Sequence, residues 1–315
     1  MTKLNKAPFL SRPFICLWTL MVLLFGIPSF SQTMDHYRIF STSLKKEVTL
    51  EDIAANMQDY DVLFYGEEHN DSITHYLQSQ LLNLMYQLYQ GNLALSLEMF
   101  DRDVQPIMNE YLKDEIKERH FLKDSRPWKN YNDYKPLVEF AKANQLDVIC
   151  ANAPTRYTNL AGRKGQQALM ELPKETRKYL APLPYASATG NYYEKLMGVM
   201  GHAMPADTTS KATPAMALPE FDFVASQSLW DATMAYSIAR YLKKNRHKKI
   251  MQVNGRFHSD ERFAIVTQLK KYCPKAKALV ISSGTDDAFP NVDWNKHKHL
   301  GDYLIITDPK VARSF

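Results

Sequence analysis

Short apolar runs of strand-like composition alternate along the chain with longer segments of helical period. Val62 to Tyr65 is the first such run, and Ser72 to Tyr89 follows it with Tyr76, Leu77, Gln80, Leu81, Leu84 and Leu88 at the 3.6 repeat of a helix stopped by Gly91. Leu93 to Leu97 repeats the pattern and leads through Asp101, Arg102 and Asp103, which read as a helix N-terminus, into Val104 to Tyr111. A helix over Leu137 to Asn144 precedes the run Val148 to Cys150. Later, Ile250 to Val253 and Ala278 to Ser282 flank a helix predicted over Glu261 to Lys271, and Tyr303 to Thr307 supplies the last run. None of these runs alternates with polar residues, which suits strands covered on both faces. The expected class is therefore α/β, a mostly parallel central sheet with helices on both faces. The middle of the chain departs from the pattern. Residues 172–219 carry many of the prolines, Gly190, Gly198 and Gly201, and no strand signal, which predicts a helical insertion over one end of the sheet, with a polar loop over Asp207 to Ala217.

The N-terminus obeys a different grammar. Lys3, Lys6 and Arg12 precede an apolar run from Phe14 to Ile27, and Pro28 and the small residues Ser29 and Ser31 follow. This is the order of a secretory signal peptide over residues 1–31, cleaved near Ser31. The run is shorter than the roughly 20 residues a spanning helix needs. Cys16 sits near its beginning rather than directly after it, so no lipid-attachment site is seen. The expectation is export to the periplasm or the extracellular space. Residues 32–59 would form a lead-in and residues 60–315 the α/β domain.

Charge and cysteine content then narrow the function classes. Residues 1–31 hold three basic and no acidic residues, so a net charge of +5 falls to +2 without them, and no nucleic-acid partner is indicated. Cys150 and Cys273 remain, too few for a disulfide framework, whether or not they pair.

In open α/β sheets functional groups gather where strands end. Three predicted strand ends here carry polar residues: Gly66-Glu67-Glu68-His69, Glu98, and His258 in Asn254-Gly255-Arg256-Phe257-His258. An extended chain through 67–69 turns Glu67 and His69 to one side, the spacing an acid and a base, or two metal ligands, would need. Gln227 and Asp231 lie one turn apart on a helix of about twenty residues, and Arg102 one helical turn from Glu98. No Gly-x-Ser-x-Gly elbow, His-Glu-x-x-His or glycine-rich phosphate loop occurs.

Five blocks carry a resemblance: Gly66-Glu67-Glu68-His69, Leu97-Glu98-Met99-Phe100-Asp101-Arg102, Ala151-Asn152-Ala153-Pro154, Gln227-Ser228-Leu229-Trp230-Asp231-Ala232-Thr233-Met234-Ala235 and Gly255-Arg256-Phe257-His258. With Gly301-Asp302-Tyr303 they are similar, in order, to the ChaN family of haem-binding uptake proteins, within the wider Tiki and erythromycin-esterase superfamily. The resemblance implies an exported haem binder acting in iron acquisition, with tyrosine on the iron, haem held between two subunits, and an outer-membrane haem receptor as partner. Members are often lipoproteins, and this sequence departs from that. The superfamily also contains metal-dependent peptidases and esterases, whose Glu and His positions are matched by Glu67, His69, Glu98 and His258.

The chemistry of both readings can be placed on residues. Ferric haem takes a phenolate ligand, cationic or imidazole donors for its propionates, and apolar cover for its faces. The insertion offers Tyr192 or Tyr193 for the iron and Lys195 and His202 for the propionates, among Tyr185, Met197, Met200 and Met204. In the alternative, a metal-dependent hydrolase, Glu67, His69 and His258 would hold a divalent metal and Glu98 would act on a water, with Arg102, Gln227 and Asp231 in support. A run of basic residues, Lys243 to Lys249, reads as a solvated helix end.

Overall fold

The computed structural model describes residues 1–2, 34–203 and 221–315, the side chains of 34 and 200–203 excepted. The predicted leader and the loop predicted at 207–217 lie outside the described residues. In chain order the elements are β1 (Tyr37–Ser41), β2 (Lys46–Glu47), α1 (Leu50–Asn56), β3 (Val62–Glu67), α2 (Ser72–Tyr89), β4 (Leu93–Asp101), α3 (Gln105–Leu112), α4 (Glu118–Ser125) and α5 (Tyr131–Ala143). There follow β5 (Asp147–Asn152), α6 (Thr155–Met170), α7 (Lys174–Arg177), α8 (Gly190–Ala203), α9 (Phe223–Lys244), β6 (Lys249–Gly255), α10 (Ala264–Tyr272), β7 (Ala278–Thr285) and β8 (Tyr303–Thr307).

The strands form one eight-stranded sheet in the order β2-β1-β8-β7-β3-β6-β4-β5. From β8 to β5 all neighbours are parallel, while β1 pairs antiparallel with β8 and with β2. Successive strand residues serve opposite faces, which is why the runs show no polar alternation. Leu63, Tyr65, Leu95, Leu97, Met251 and Val253 pack with α1, α2 and α5, whereas Val62, Phe64, Ile250 and Val280 pack with Met234 and Ile238 of α9 and Ile265 and Leu269 of α10. Cys150 is buried and neither it nor Cys273 is in a disulfide.

Three sequence expectations change. Residues 32–59 are no mere lead-in, because β1 and β2 complete the sheet and α1 packs into its core. The helix predicted from Glu261 begins at Ala264, since Glu261, Arg262 and Ala264 take positive φ values of 61, 62 and 42° and break the helical turn. β4 continues to Asp101 and is followed by a short 3-10 turn, so α3 starts at Gln105 with Pro106 in its first turn. The insertion carries α7 and α8 and no strand among the described residues. Its α8 docks through Tyr192 and Leu196 onto Ala264, Phe257 and Phe263, just past the end of β6.

Candidate functional site

The parallel register sets Glu67 beside Gly255 and Leu97 beside Val253, which brings the C-terminal ends of β3, β6 and β4 together. Glycine allows the close approach. A Cβ on Gly66 would lie 2.8 Å from the Arg256 Cα, and one on Gly255 2.7 Å from the His69 ring.

Two linked polar clusters fill this edge. In the first, Glu67 is 1 % exposed. Its Oε1 accepts from the Tyr134 hydroxyl at 2.6 Å and pairs with His69 Nδ1 at 2.9 Å, and its Oε2 accepts from the Gln78 amide. Burial alone would lower the His69 pKa, but the bond to Glu67 and the charge of Glu98 outweigh it and raise it. The ring packs edge-on to Trp128 at 5.0 Å.

In the second cluster His258 is clamped between carboxylates, with Nδ1 2.6 Å from Asp231 and Nε2 3.3 Å from Glu98. Burial opposes its charge, yet the two carboxylates push its pKa up to about 10, so the ring is an imidazolium at neutral pH. Burial raises Glu98 as well, and His258 and the Gly255 amide, which donates to Glu98 Oε2 at 2.7 Å, more than offset it and hold the carboxyl below its ordinary range. For Asp231 burial wins and the pKa is raised. The Tyr192 hydroxyl donates to Asp231 Oδ2 at 2.7 Å, which ties α8 to α9. The Gln227 amide lies 3.1 Å from His258 Nδ1. A cavity of about 300 Å³ opens over both clusters, lined among others by Glu67, His69, Gln227, His258, Phe223 and Val199.

The structure thus brings Glu67, His69, Glu98, Gln227, Asp231 and His258 into one neighbourhood and sets other sequence candidates apart. Arg102 is a correction: because β4 is a strand, four residues carry the chain about 13 Å onward rather than one helical turn. Its guanidinium donates to the Leu180 carbonyl at 3.2 Å and lies 5.3 Å over Tyr236, with a pKa brought down to about 10 by burial and Arg240. Lys195 is paired with Glu261 at 2.8 Å and lies 4.0 Å from Asp260. The adjacent tyrosines part company. Tyr192 is 7 % exposed, whereas Tyr193 is 39 % exposed and its hydroxyl has no partner among the described residues. The His202 side chain lies outside the described residues. Sequence reasoning missed Tyr134, Gln78 and His75, which hold or flank Glu67; the available signal was polar Thr74, His75 and Gln78 on the inner face of α2.

Residues 53–269 match the family model described as haem-binding uptake, Tiki superfamily, ChaN. The chain belongs to that family. A solved ChaN structure from Campylobacter jejuni, described as showing cofacial haem binding, superposes with a TM-score of 0.62 at 17 % identity, covering 87 % of this chain and 97 % of that one. The type III effector HopBA1 superposes at a TM-score of 0.44 and 11 % identity, over 82 % of this chain and 93 % of that one. No curated protein matches the sequence. Membership of the ChaN family favours haem binding over the hydrolase alternative. Among the described residues no three His, Cys, Asp or Glu side chains are grouped to hold a metal ion. Glu67 and His69 bond each other, and His258 pairs with Asp231 and Glu98.

Proposed function

We propose that this ChaN-family protein is exported and binds ferric haem between two copies of the chain, with Tyr193 as the iron ligand, as a step in haem and iron uptake. The observation that carries the reading is the outer face of α8. Tyr193 and Met197, one turn apart on that face, are 39 % and 44 % exposed. Large exposed apolar side chains on one helix are unusual for a face that stays in water. A porphyrin face wants such cover, and a phenol with no partner among the described residues is available to a ferric ion. Tyr192 offers neither, because its hydroxyl is committed to Asp231. The inner stripe of Tyr192 and Leu196 holds α8 in place and so aims Tyr193 outward. A flat surface of this kind covers one side of a haem and leaves the other to a second copy, and the Campylobacter relative is described as binding haem cofacially.

Titration of the purified protein with ferric hemin, reading absorbance and oligomeric mass together, tests this. The expected result is a saturable tyrosinate-type spectrum with dimer formation. Tyr193→Phe should abolish the tyrosinate signature and weaken binding about tenfold or more, a change of roughly 1.4 kcal/mol, while Tyr192→Phe keeps the signature. A tyrosinate spectrum that survives Tyr193→Phe would place the ligand elsewhere.

A further inference from the structure

The N-terminal edge of the sheet, opposite the polar clusters, joins two basic segments that are distant in sequence. Lys243-Lys244-Asn245-Arg246-His247-Lys248-Lys249 ends α9 and opens β6, and Lys270-Lys271-Tyr272-Cys273-Pro274-Lys275-Ala276-Lys277 ends α10 and opens β7. β6 and β7 flank β3 on either side, with Val62 opposite both Ile250 and Ala278, so both segments emerge at one end of the molecule. Together they hold nine Lys and Arg and no Asp or Glu, in a chain whose whole net charge is +5. Lys243, Lys244, Arg246, Lys270, Lys271, Lys275 and Lys277 are exposed. Among the described residues only Lys248 has an ion-pair partner, Asp147 at 2.8 Å, while Lys249 donates to the carbonyls of Gln58 and Tyr60. The acidic groups flanking this end are Asp59, Asp61 and Asp147, and the Asp61 carboxylate already accepts from the Lys277 amide. A helix dipole is complemented by a cation or two in its last turn, and nine exceed that need.

We propose that this basic end docks the protein on an anionic phospholipid surface. Eight of the nine cations are lysines, point charges without the fork geometry that selects a particular carboxylate or phosphate, which suits a diffuse layer of headgroups. Stacking platforms for bases are missing from these segments. Tyr241 is bonded to Asp147, and Tyr272 packs against Tyr236 with ring centres 5.4 Å apart. β6 runs from Lys249 at the basic end to Gly255 beside Glu98, a span of about 20 Å, so a docked molecule holds the cavity and α8 away from the lipid.

The test is co-sedimentation of residues 34–315, a compact unit with its own core, with vesicles of phosphatidylglycerol and phosphatidylcholine in equal parts and with vesicles of phosphatidylcholine alone. Binding to the anionic vesicles only, lost at high salt, is expected. The combined variant Lys243→Gln, Lys244→Gln, Lys271→Gln, Lys275→Gln should lower the partition by several hundredfold, each lysine near the surface contributing about five-fold. It should keep the circular dichroism and hemin titration of the parent. Neutralising Lys123, Lys129, Lys164 and Lys310 instead, exposed lysines away from this end, should leave partition within about twofold of the parent. No binding to anionic vesicles, equal binding to both kinds, or an equal loss in the control variant overturns the proposal. So does tighter binding to duplex DNA than to the vesicles, lost in the same lysine variant, which would assign the surface to nucleic acid.

Discussion

The two edges of the central sheet carry charge in opposite ways. At the C-terminal edge Glu67, Glu98, Asp231 and His258 are all buried, and each polar atom meets a partner from another element. At the N-terminal edge seven cations stand in water, and only Lys248 is ion-paired among the described residues. Buried charges hold geometry because removing one strands another in a low-dielectric interior. Exposed lysines hold nothing together, since water already solvates them. The buried edge is therefore where the fold is locked under α8, and the exposed edge is where charge is left over for a partner.

The comparison breaks hardest at Asp231. Asp231→Ala removes one jaw of the clamp on His258 and the acceptor of the Tyr192 hydroxyl. The expected loss is about 3–5 kcal/mol, read by urea unfolding. A loss below about 1 kcal/mol would mean that the clamp relaxes into solvent, contrary to its burial. A smaller effect of the same cluster shows in pH. The folded pKa of His258, about 10, exceeds the unfolded value of 6.5. Its stabilisation is thus complete below about pH 6.5 and fades as pH rises through 10. Unfolding free energies measured between those limits should fall by a few kcal/mol in the parent and stay flatter in His258→Gln. Parallel curves for the two proteins would assign the fall to other groups.

Much of this arrangement was legible in the sequence, for identifiable reasons. The runs Val62–Tyr65, Leu93–Leu97 and Ile250–Val253 read as strands because both faces of the sheet are covered, and polar residues closing those runs marked Glu67, Glu98 and His258 as a set. β1 escaped because Tyr-Arg-Ile-Phe-Ser has the mixed character of a strand near the edge, and β2 is only two residues long. Arg102 was misplaced by reading a spacing of four as a helical turn when the backbone there is extended. Tyr134 and Gln78 reach Glu67 from 67 and 11 residues away, a convergence that only the packing of α5 and α2 creates. The choice between Tyr192 and Tyr193 needed the docked side of α8, because neighbours on a helix point about 100° apart and either could face the core.

The smallest expected effect lies at the other edge, and its smallness is the point. Neutralising Lys243, Lys244, Lys271 and Lys275 to Gln leaves no group unpaired, because none of the four has an ion-pair partner among the described residues. Each side chain keeps its helical or loop backbone, and Gln is nearly as good a helix former as Lys. Removing four like charges from one end also lowers their mutual repulsion. Urea unfolding should therefore return a stability within about 0.5 kcal/mol of the parent. A loss several times larger would show that these lysines tie α9 and α10 to the sheet. The two edges would then differ only in how visibly their charges are paired, and the case for a free docking surface would fail with that result.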